Sequence, residues 1–554
     1  MVSRFDRRAL LAGGAAAAAG FAGASALDLG WDGIAGAVTN GPGRNGVSKK
    51  TPKKGGSLVF GVDAEESGFL PTTARFDEVG VMYARTVFDP LTIVTAEGGW
   101  APYLAQSVVP NSSYTTWTIT LKPNVVFHDG TPCNGAALLQ NLQAQSKSLL
   151  TGIVINPTLV SITQTGPLSV AISFKSPWVP FPYYLAGGIG GQIAYVVAPS
   201  MLANPNGTNH PVGTGPFVFQ EWIPNDHFTA TANPHYWRPG MPYLDSITFK
   251  PIPDEEARAE ALKSGTIDLM ITDTAQIILE FRGNPSWSYI DDSGKVAGEP
   301  DMDCVQLNCL KAPFNNATVR RAAAMAINRQ QYTKVVNANV QPISTGLFTP
   351  GSPYFSTTSY PAYNPSGARA LVKQVEKQTG GPISFSWGST NSPSAIRAQE
   401  YIQQAWQSVG FKVQNTIVEQ NDDINDALVG QYQALGWRQF GAVDPDLNYI
   451  FWSSTTVGGE GNLSINMARN ADPKIEAALQ TGRASTDPDV RATAYQTVNK
   501  RLALDLPYLW LDRAIWAVIG NPTVQNFNNP TTPQGQRAFG MIGGSVWPTQ
   551  IWIS

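Results

Sequence analysis

Residues 411–446 read FKVQNTIVEQNDDINDALVGQYQALGWRQFGAVDPD. Apolar periodicity predicts a strand over 411–418, a short helix over 423–430 and a second strand over 432–437. Strands that alternate with helices in this way indicate an α/β domain with a sheet at its centre. The second strand runs into a glycine-containing loop that carries Asp444. Open α/β sheets bind ligands just beyond the carboxyl ends of their strands, so this loop is a candidate ligand site.

The same alternation extends in both directions from this stretch. Towards the C-terminus, one long helix is predicted over 489–504. Preceding segments with strand character are 58–62, 117–121, 170–174, 267–271, 305–307 and 383–387. Preceding segments with helical periodicity are 76–91, 255–264, 318–328, 365–378 and 395–409. The fold class predicted from this pattern is α/β.

Length and composition restrict the possible functions. A chain of 554 residues is too long for one core and predicts two or three lobes. With 14% charged residues and a net charge of -3, no basic field is expected that would hold nucleic acid. Four His without HExxH or HxH spacing give no metal site, and the three Cys form no disulfide framework. No cofactor motif is present, and none is expected.

The first residues have the layout of an export signal. Residues 1–26 read MVSRFDRRALLAGGAAAAAGFAGASA, with Arg7 and Arg8 before a weakly apolar stretch and a small-residue cleavage site at its end. The paired arginines predict a signal peptide of the twin-arginine type. No Cys precedes Cys133, which excludes a lipoprotein anchor at the signal. Residues 27–56 are glycine-rich with a basic run and predict a flexible linker.

Motifs for catalysis are missing. The sequence has no G-x-S-x-G turn and no G-x-x-x-x-G-K-[ST] phosphate loop. The glycine-rich segment 213–217, GTGPF, resembles a phosphate loop, but Pro216 opposes the helix start that would hold the phosphate. It is therefore interpreted as a structural turn, and so is His128 in FHDG. The chain is not expected to be an enzyme.

The loop that carries Asp444 has two interpretations from its own residues. A carboxylate beyond a strand end can accept hydrogen bonds from a ligand ammonium group and so fix the orientation of the ligand. An aspartate in a solvated loop beside a core tryptophan would have the same sequence. The segment alone leaves both open.

Several motifs occur in a fixed order along the chain. They are YARTVFDPL from Tyr83, WTITLKPNVVFHDGTP from Trp117, GTGPFVFQEW from Gly213, NPHYW from Asn233, APFNNATVRRAAAMAIN from Ala312 and GWRQFGAVDP from Gly436. Through these motifs, the chain from residue 55 to its C-terminus resembles the dipeptide- and oligopeptide-binding extracellular proteins of ABC importers, solute-binding protein family 5.

The resemblance implies an architecture. Members have a two-lobed periplasmic-binding-protein-like fold of type II, with an extra subdomain in lobe one. On this chain it implies lobe one with the inserted subdomain over 57–303, lobe two over 304–505 and a C-terminal return to lobe one over 506–554.

The resemblance also implies ligand-binding residues. By motif, Asp444 matches the aspartate that holds a peptide amino terminus, and Glu66, Ser67 and Gly68 match a first-lobe segment that touches ligand backbone. The remaining candidates are aromatic or basic residues at strand ends: Trp387, Trp437, Arg438 and Phe440. One feature departs from the dipeptide-binding members, which carry a carboxylate-binding Arg soon after the strand at 383–387. Here GSTNSPSA follows that strand, and no Arg precedes Arg397.

The function expected from the resemblance is capture of a peptide-like small solute outside the cytoplasm and its delivery to an ABC importer. The partners would be the permease and ATPase subunits of the importer, with no nucleic acid and no resident cofactor or metal, and the protein is expected to be a monomer. Two alternatives stay open: a binding or sensor module without transport, and a secreted hydrolase. The second would need a nucleophile–base motif, which the sequence lacks.

Replacing Arg7 and Arg8 together by Lys should retain the protein inside the cell, because the twin-arginine route reads the arginine pair. Cell fractionation and immunoblotting of the variant beside the unmodified chain measure this. The matched control is Arg4→Lys, which leaves the pair intact and should be exported. Normal export of the double variant would contradict the twin-arginine assignment.

Overall fold

The computed structural model describes residues 51–74, 76–188, 191–204, 206–293 and 298–554. The predicted signal peptide, 1–26, and the first part of the predicted linker, 27–50, lie outside the described residues. The chain folds into two compact units. The N-terminal unit holds the described residues up to Gly298 together with Ala442–Leu447 and Trp516–Ser554, and the central unit holds Glu299–Gly441 and Asn448–Ile515. Among the described residues, no helix is long and apolar enough to cross a membrane.

In the part of the chain that the structure describes, the N-terminal unit begins with twelve strands and seven helices. The strands are β1 Ser57–Val62, β2 Thr92–Val94, β3 Trp100–Pro102, β4 Ala105–Pro110, β5 Thr116–Leu121, β6 Leu159–Gln164, β7 Ser169–Phe174, β8 Phe217–Ile223, β9 His227–Ala232, β10 Ser246–Pro251, β11 Leu269–Thr272 and β12 Ser288–Asp291. The helices are α1 Glu78–Val87, α2 Gly135–Lys147, α3 Leu149–Ile155, α4 Phe181–Tyr184, α5 Pro199–Ala203, α6 Glu255–Lys263 and α7 Ala275–Phe281.

The central unit contains the next five strands and eight helices. The strands are β13 Met302–Leu307, β14 Ser384–Thr390, β15 Lys412–Val418, β16 Ala434–Gln439 and β17 Tyr508–Arg513. The helices are α8 Ala317–Ala326, α9 Arg329–Val336, α10 Pro365–Thr379, α11 Pro393–Ser408, α12 Gln420–Val429, α13 Tyr449–Trp452, α14 Pro473–Ala484 and α15 Pro488–Asp505. The chain then returns to the N-terminal unit with β18 Ala517–Gly520, β19 Val524–Gln525 and β20 Trp552–Ile553.

Two sheets organise the N-terminal unit. A seven-stranded sheet has the order β12-β18-β11-β1-β10-β9-β8, and a separate four-stranded sheet has the order β4-β5-β7-β6. Strand β1 pairs in parallel with β10 and β11, so the carboxyl ends of these three strands share one edge. The return strand β18 lies between β11 and β12 and is antiparallel to both.

One mixed sheet organises the central unit, in the order β15-β14-β16-β13-β17. Strand β14 is parallel to β15 and β16, whereas β13 is antiparallel to β16 and β17. Aromatic side chains of β14 and α11 fill the core beneath the sheet: Trp387 and Trp406 have ring centroids 5.4 Å apart, and Phe385 lies 5.2 Å from Trp406. The Trp406 indole donates to the Ala323 carbonyl of α8, which fixes that helix on the same core.

The α/β fold class predicted from the sequence is confirmed, and most predicted elements are present with bounds that differ by at most four residues. The helix predicted over 489–504 is α15, and the helix predicted over 365–378 is α10, capped by the Asn364 side chain on the Gly367 amide. Among the helices of seven or more residues, α2, α3, α7, α9 and α14 were not predicted. The lobe boundaries expected at 303 and 505 stay predictions.

A buried carboxylate joins three of the sequence motifs in the N-terminal unit. Asp89 follows α1 and is almost fully buried. Its Oδ1 accepts a hydrogen bond from the Tyr236 hydroxyl at 2.9 Å, and its Oδ2 accepts from the Thr214 hydroxyl at 2.9 Å and the Trp237 indole at 2.7 Å. Burial raises the pKa of Asp89 to about 6, although these three donors favour the ionised form.

The glycine-rich segment that holds Thr214 is a structural turn, as predicted. A Cβ on Gly213 would overlap the Val87 carbonyl oxygen, and one on Gly215 would lie 2.5 Å from the Val87 carbonyl carbon. Only glycine allows the turn to approach the end of α1 this closely. His128 contacts the same turn at two points. Its backbone amide donates a hydrogen bond to the Gly213 carbonyl, and its Nε2 lies 3.0 Å from the Gly215 carbonyl oxygen.

Replacing Asp89 by Ala should lower the free energy of unfolding by about 3–5 kcal/mol, because three buried donors would lose their acceptor. Urea unfolding followed by circular dichroism measures this. The matched variant Thr214→Val removes one donor and keeps the carboxylate, so it should lower the free energy of unfolding by only about 1 kcal/mol. Equal losses in the two variants would contradict the central role of the carboxylate.

Candidate functional site

The loop predicted to bind ligand belongs to the N-terminal unit, although the strand before it belongs to the central unit. The Asp444 side chain is 7% exposed, and its Oδ1 accepts a hydrogen bond from the Asp446 amide at 2.9 Å. This bond closes a turn of the kind that Asp side chains make with a backbone amide two residues on. Asp444 is therefore a turn-forming residue of the loop.

Asp446, two residues further on, is the more deeply buried carboxylate. It is fully buried, and its Oδ2 accepts from the Trp178 indole at 2.9 Å. Its backbone carbonyl accepts from the Tyr184 hydroxyl at 2.8 Å. The Trp178 and Tyr184 rings are 5.0 Å apart and nearly perpendicular, so together they hold the loop from one side. The sequence motifs did not point to Asp446, Trp178 or Tyr184.

The second predicted segment, Glu66 to Gly68, follows strand β1. Gly68 has φ +139°, and a Cβ there would overlap the Thr208 hydroxyl oxygen, so the position requires glycine. The Thr208 carbonyl accepts a hydrogen bond from the Phe69 amide at 2.8 Å. Ser67 is exposed, whereas Glu66 is 5% exposed. The segment is thus a fixed loop at the carboxyl edge of the sheet.

The Glu66 carboxyl group lies against the start of α1. Its Oε1 occupies the position that a Cβ on Gly80 would need, and its Oε2 has no hydrogen-bond partner. Asp77 caps the same helix by accepting the Gly80 amide at 2.9 Å. Burial, and next the charge on Asp77, raise the pKa of Glu66 well above its usual range. Burial raises the pKa of Asp77 to about 6.

Three further candidates lie at or just beyond the end of β16 in the central unit. Trp437 and Phe440 are half-buried, and the Trp437 indole nitrogen is buried without a hydrogen-bond partner. Arg438 donates from Nε to the Asp303 carboxylate at 2.8 Å, across the strand pair in which these two residues are opposite each other. The guanidinium therefore has an intramolecular partner on β13.

The structure places the last candidate, Trp387, inside the core of the central unit. It is 2% exposed, and its indole donates to the Gln399 carbonyl at 3.2 Å. Its ring belongs to the hydrophobic cluster beneath the sheet. The structure thus brings Glu66, Gly68 and Asp444 into one unit and Trp387, Trp437, Arg438 and Phe440 into the other.

The chemistry of these residues is that of binding. Carboxyl groups, an indole nitrogen and aromatic rings can recognise cationic and apolar groups of a ligand. Among the described residues, no group of three or more His, Cys, Asp or Glu has the arrangement of a metal site. Polar and aromatic residues at strand ends of an α/β sheet are the features of a small-molecule binding protein.

The family comparison gives this class its name. The family model described as bacterial extracellular solute-binding proteins, family 5 middle, matches residues 99–461. The chain belongs to this family of solute-binding proteins, which serve ABC importers, and it is not an enzyme. The resemblance identified from the sequence motifs is therefore confirmed.

Relatives with names in the same class cover most of the chain. The nickel-binding periplasmic protein of Escherichia coli K12 is 27% identical over 80% of this chain and 87% of its own. The glutathione-binding protein GsiB of Pectobacterium atrosepticum is 27% identical over 74% of this chain and 79% of its own. The solved structure of the periplasmic binding protein DppA from Helicobacter pylori with the peptide STSA covers 90% of this chain and 98% of its own, at TM-score 0.78 and 20% identity.

The Glu66–Asp77 pair gives a pH prediction. Because the pKa of Asp77 is raised from 3.8 to about 6, the stability it contributes is present below pH 3.8 and lost as pH rises through about 6. Glu66→Gln removes a second buried carboxyl group whose own pKa burial raises, so the loss of about 1–3 kcal/mol in unfolding free energy between pH 4 and pH 7.5 should become smaller. Urea unfolding at both values measures this.

The control for this measurement is Ser67→Ala, which changes an exposed neighbour and should leave the pH dependence unaltered. If the unfolding free energies of Glu66→Gln and the unmodified chain follow parallel pH curves, the raised pKa of Glu66 does not contribute to the pH dependence.

Proposed function

We propose that this protein captures a peptide-like small solute that carries an ammonium group, and that it passes this solute to the permease and ATPase subunits of an ABC importer. The observation that carries the ligand class is the pair of acidic sites in the N-terminal unit, Asp444 with Asp446 and Glu66 with Asp77, of which only Asp77 is not fully buried. Buried carboxyl groups at the ends of strands suit a ligand with a positive charge.

The names of the relatives support this ligand class. Glutathione and the peptide STSA, bound by two of them according to their names, both contain amide bonds and an amino group. A nickel-binding relative shows that the family also accepts other solutes. Asp444 matches the aspartate that holds a peptide amino terminus by its place in GWRQFGAVDP. The hydrogen bond from the Asp446 amide to Asp444 Oδ1 fixes the direction of that carboxylate before any ligand arrives.

We further propose that the protein works outside the cytoplasm as a monomer. The twin-arginine signal predicted over 1–26 supports export, and the nickel-binding relative is periplasmic by name. A folded cargo is what the twin-arginine route transports. The predicted linker over 27–56 would then separate the cleaved signal from strand β1.

Asp444→Ala should weaken capture of the solute by about 2–5 kcal/mol, because the ammonium group would lose a buried partner. Native mass spectrometry of the purified protein first identifies the co-purified solute, and isothermal titration then compares the variant with the unmodified chain. The same variant should lose about 1 kcal/mol of stability, because the turn that binds the Asp446 amide is removed.

The matched control is Asp226→Ala, which removes an exposed carboxylate from the same unit. Its affinity should stay within twofold of the unmodified chain. A fall of less than about threefold for Asp444→Ala, under 1 kcal/mol, would show that Asp444 is not the ammonium anchor. Purified protein that binds neither a co-purified solute, nor glutathione, nor the peptide Ser-Thr-Ser-Ala would contradict the peptide-like ligand class.

A further inference from the structure

Two carboxyl groups of the central unit lie side by side on neighbouring strands. Asp303 of β13 is directly opposite Asp512 of β17 on one side and Arg438 of β16 on the other. A β-bulge with Leu511 as the extra residue of β17 produces the first of these pairs. Regular pairing would place Leu511, not Asp512, opposite Asp303. The bulge therefore turns a second acid towards the Asp303–Arg438 ion pair.

Asp512 is fully buried, and only one of its two oxygens has a hydrogen-bond donor. Its Oδ2 accepts from the Asn337 side chain at 2.5 Å, whereas among the described residues its buried Oδ1 has no hydrogen-bond partner. The Asp303 carboxyl group lies within hydrogen-bond reach of Asp512 and accepts from Arg438 Nε at 2.8 Å. Carboxylate oxygens are acceptors only, so the two acids can bond to each other only if one carries a proton.

The buried Asp89 shows what the fold supplies to a carboxyl group that favours its ionised form. It accepts three hydrogen bonds from side chains. Asp512 accepts one from a side chain and has a second carboxyl group as its neighbour. An ionised Asp512 would place two like charges in contact inside the protein, which is costly. A neutral Asp512 removes this repulsion and supplies the missing donor.

The charge at this row of residues is determined by its two acids and its arginine. Burial, and next the charge on Asp303, raise the pKa of Asp512 well above its usual range, although Arg438 opposes the shift. The titratable groups that pack on the row from the helices are Tyr332 of α9 and Tyr401 of α11, whose rings are 5.6 Å apart. Burial raises the pKa of both tyrosines, so both stay neutral.

We propose that Asp303 and Asp512 hold one proton between them and that this proton positions Arg438. The Asp512 carboxyl group donates to the Asp303 carboxylate, and the one negative charge of the pair binds Arg438 Nε. When the proton is lost to solvent, like charges repel across β13 and the edge strand β17, and Asp303 no longer holds Arg438 in place. Asp512 is thus a positioning residue for a candidate ligand-binding arginine. The inference does not depend on which solute the protein binds.

Infrared spectroscopy of the full mature chain, with isotope-labelled aspartate, tests the proton directly. A protonated carboxyl group has a C=O stretching band that is separate from the bands of a carboxylate. The unmodified chain should show this band at pH 7, and Asp512→Asn should lose the part that belongs to Asp512. The matched control Asp489→Asn removes an exposed acid of the same unit and should leave the band unchanged.

Thermal unfolding gives the pH profile that a shared proton requires. An acid whose pKa is raised by folding contributes stability below its ordinary pKa of 3.8, and this stability is lost as pH rises through the folded-state pKa. Asn has the shape of the neutral acid at every pH. Asp512→Asn should therefore match the Tm of the unmodified chain at pH 4 and exceed it by about 2–5 °C above the pH at which the infrared band disappears.

The Arg438 side chain reports on positioning. An Nε–H group held by a carboxylate exchanges slowly with water, and NMR spectroscopy measures that exchange. The exchange should accelerate in Asp512→Leu, which cannot donate to Asp303, and should stay slow in Asp512→Asn. If Asp512→Leu does not fold, raising the pH of the unmodified chain is the equivalent change, and exchange should accelerate, beyond its ordinary pH dependence in Asp512→Asn, as the infrared band disappears.

Three results would overturn the inference. An equally strong band in the unmodified chain and in Asp512→Asn means that Asp512 carries no proton. Arg438 exchange that is the same in the unmodified chain and in both Asp512 variants means that the pair does not position the arginine. A Tm that falls when choline replaces sodium, in the unmodified chain but not in Asp512→Asn, means that a metal cation holds the pair in place of the proton.

Discussion

The hydrogen bonds to the buried Asp89 carboxylate hold the N-terminal unit together at the point where its sequence motifs meet. The carboxylate accepts one hydrogen bond from a hydroxyl in GTGPF, and two from a hydroxyl and an indole in NPHYW. The donors lie 125 to 148 residues further along the chain. Removing a carboxylate from water is costly, and it is tolerated only where several donors replace the water. The turn at Gly213 and the two rings must therefore occupy fixed positions around the end of α1, and motifs distant in sequence become one structural feature.

Helix α1, which ends just before Asp89, is itself almost entirely buried. Nine of its ten residues are buried, so the helix has no solvated face on which to place charged groups. Even so, Asp77 caps it, Arg85 lies within it and Asp89 follows it. Burial raises the pKa of the capping carboxylate, and two of the arginine nitrogens, Nε and Nη1, have no acceptor among the described residues. Asp77 and Asp89 are retained there for structural reasons, because Asp77 caps the helix and Asp89 accepts three buried hydrogen bonds.

The sequence predicted the elements better than the contacts. Periodicity placed α15 and α10 to within one residue at each end, because caps such as Asn364 and Asp487 leave local signals. Helix α14 was not predicted although Asp472 and Pro473 form a start signal, and α2 begins with a glycine that weakens the helical pattern. For the candidate site, the motif located the Asp444 loop. It did not reveal that Asp446 is the deeper residue, because its partner Trp178 lies 268 positions away.

Arg438 shows why residue type alone misleads about a binding site. In the sequence it is a cation beside two aromatic residues at a strand end, which fits a ligand carboxylate. In the structure the β13–β16 register places it opposite Asp303, and the two form an ion pair at 2.8 Å. The pairing depends on two strands 135 residues apart, a distance over which local patterns carry no information. The Arg438 Nε therefore already binds the Asp303 carboxylate, and residue type alone could not reveal that partner.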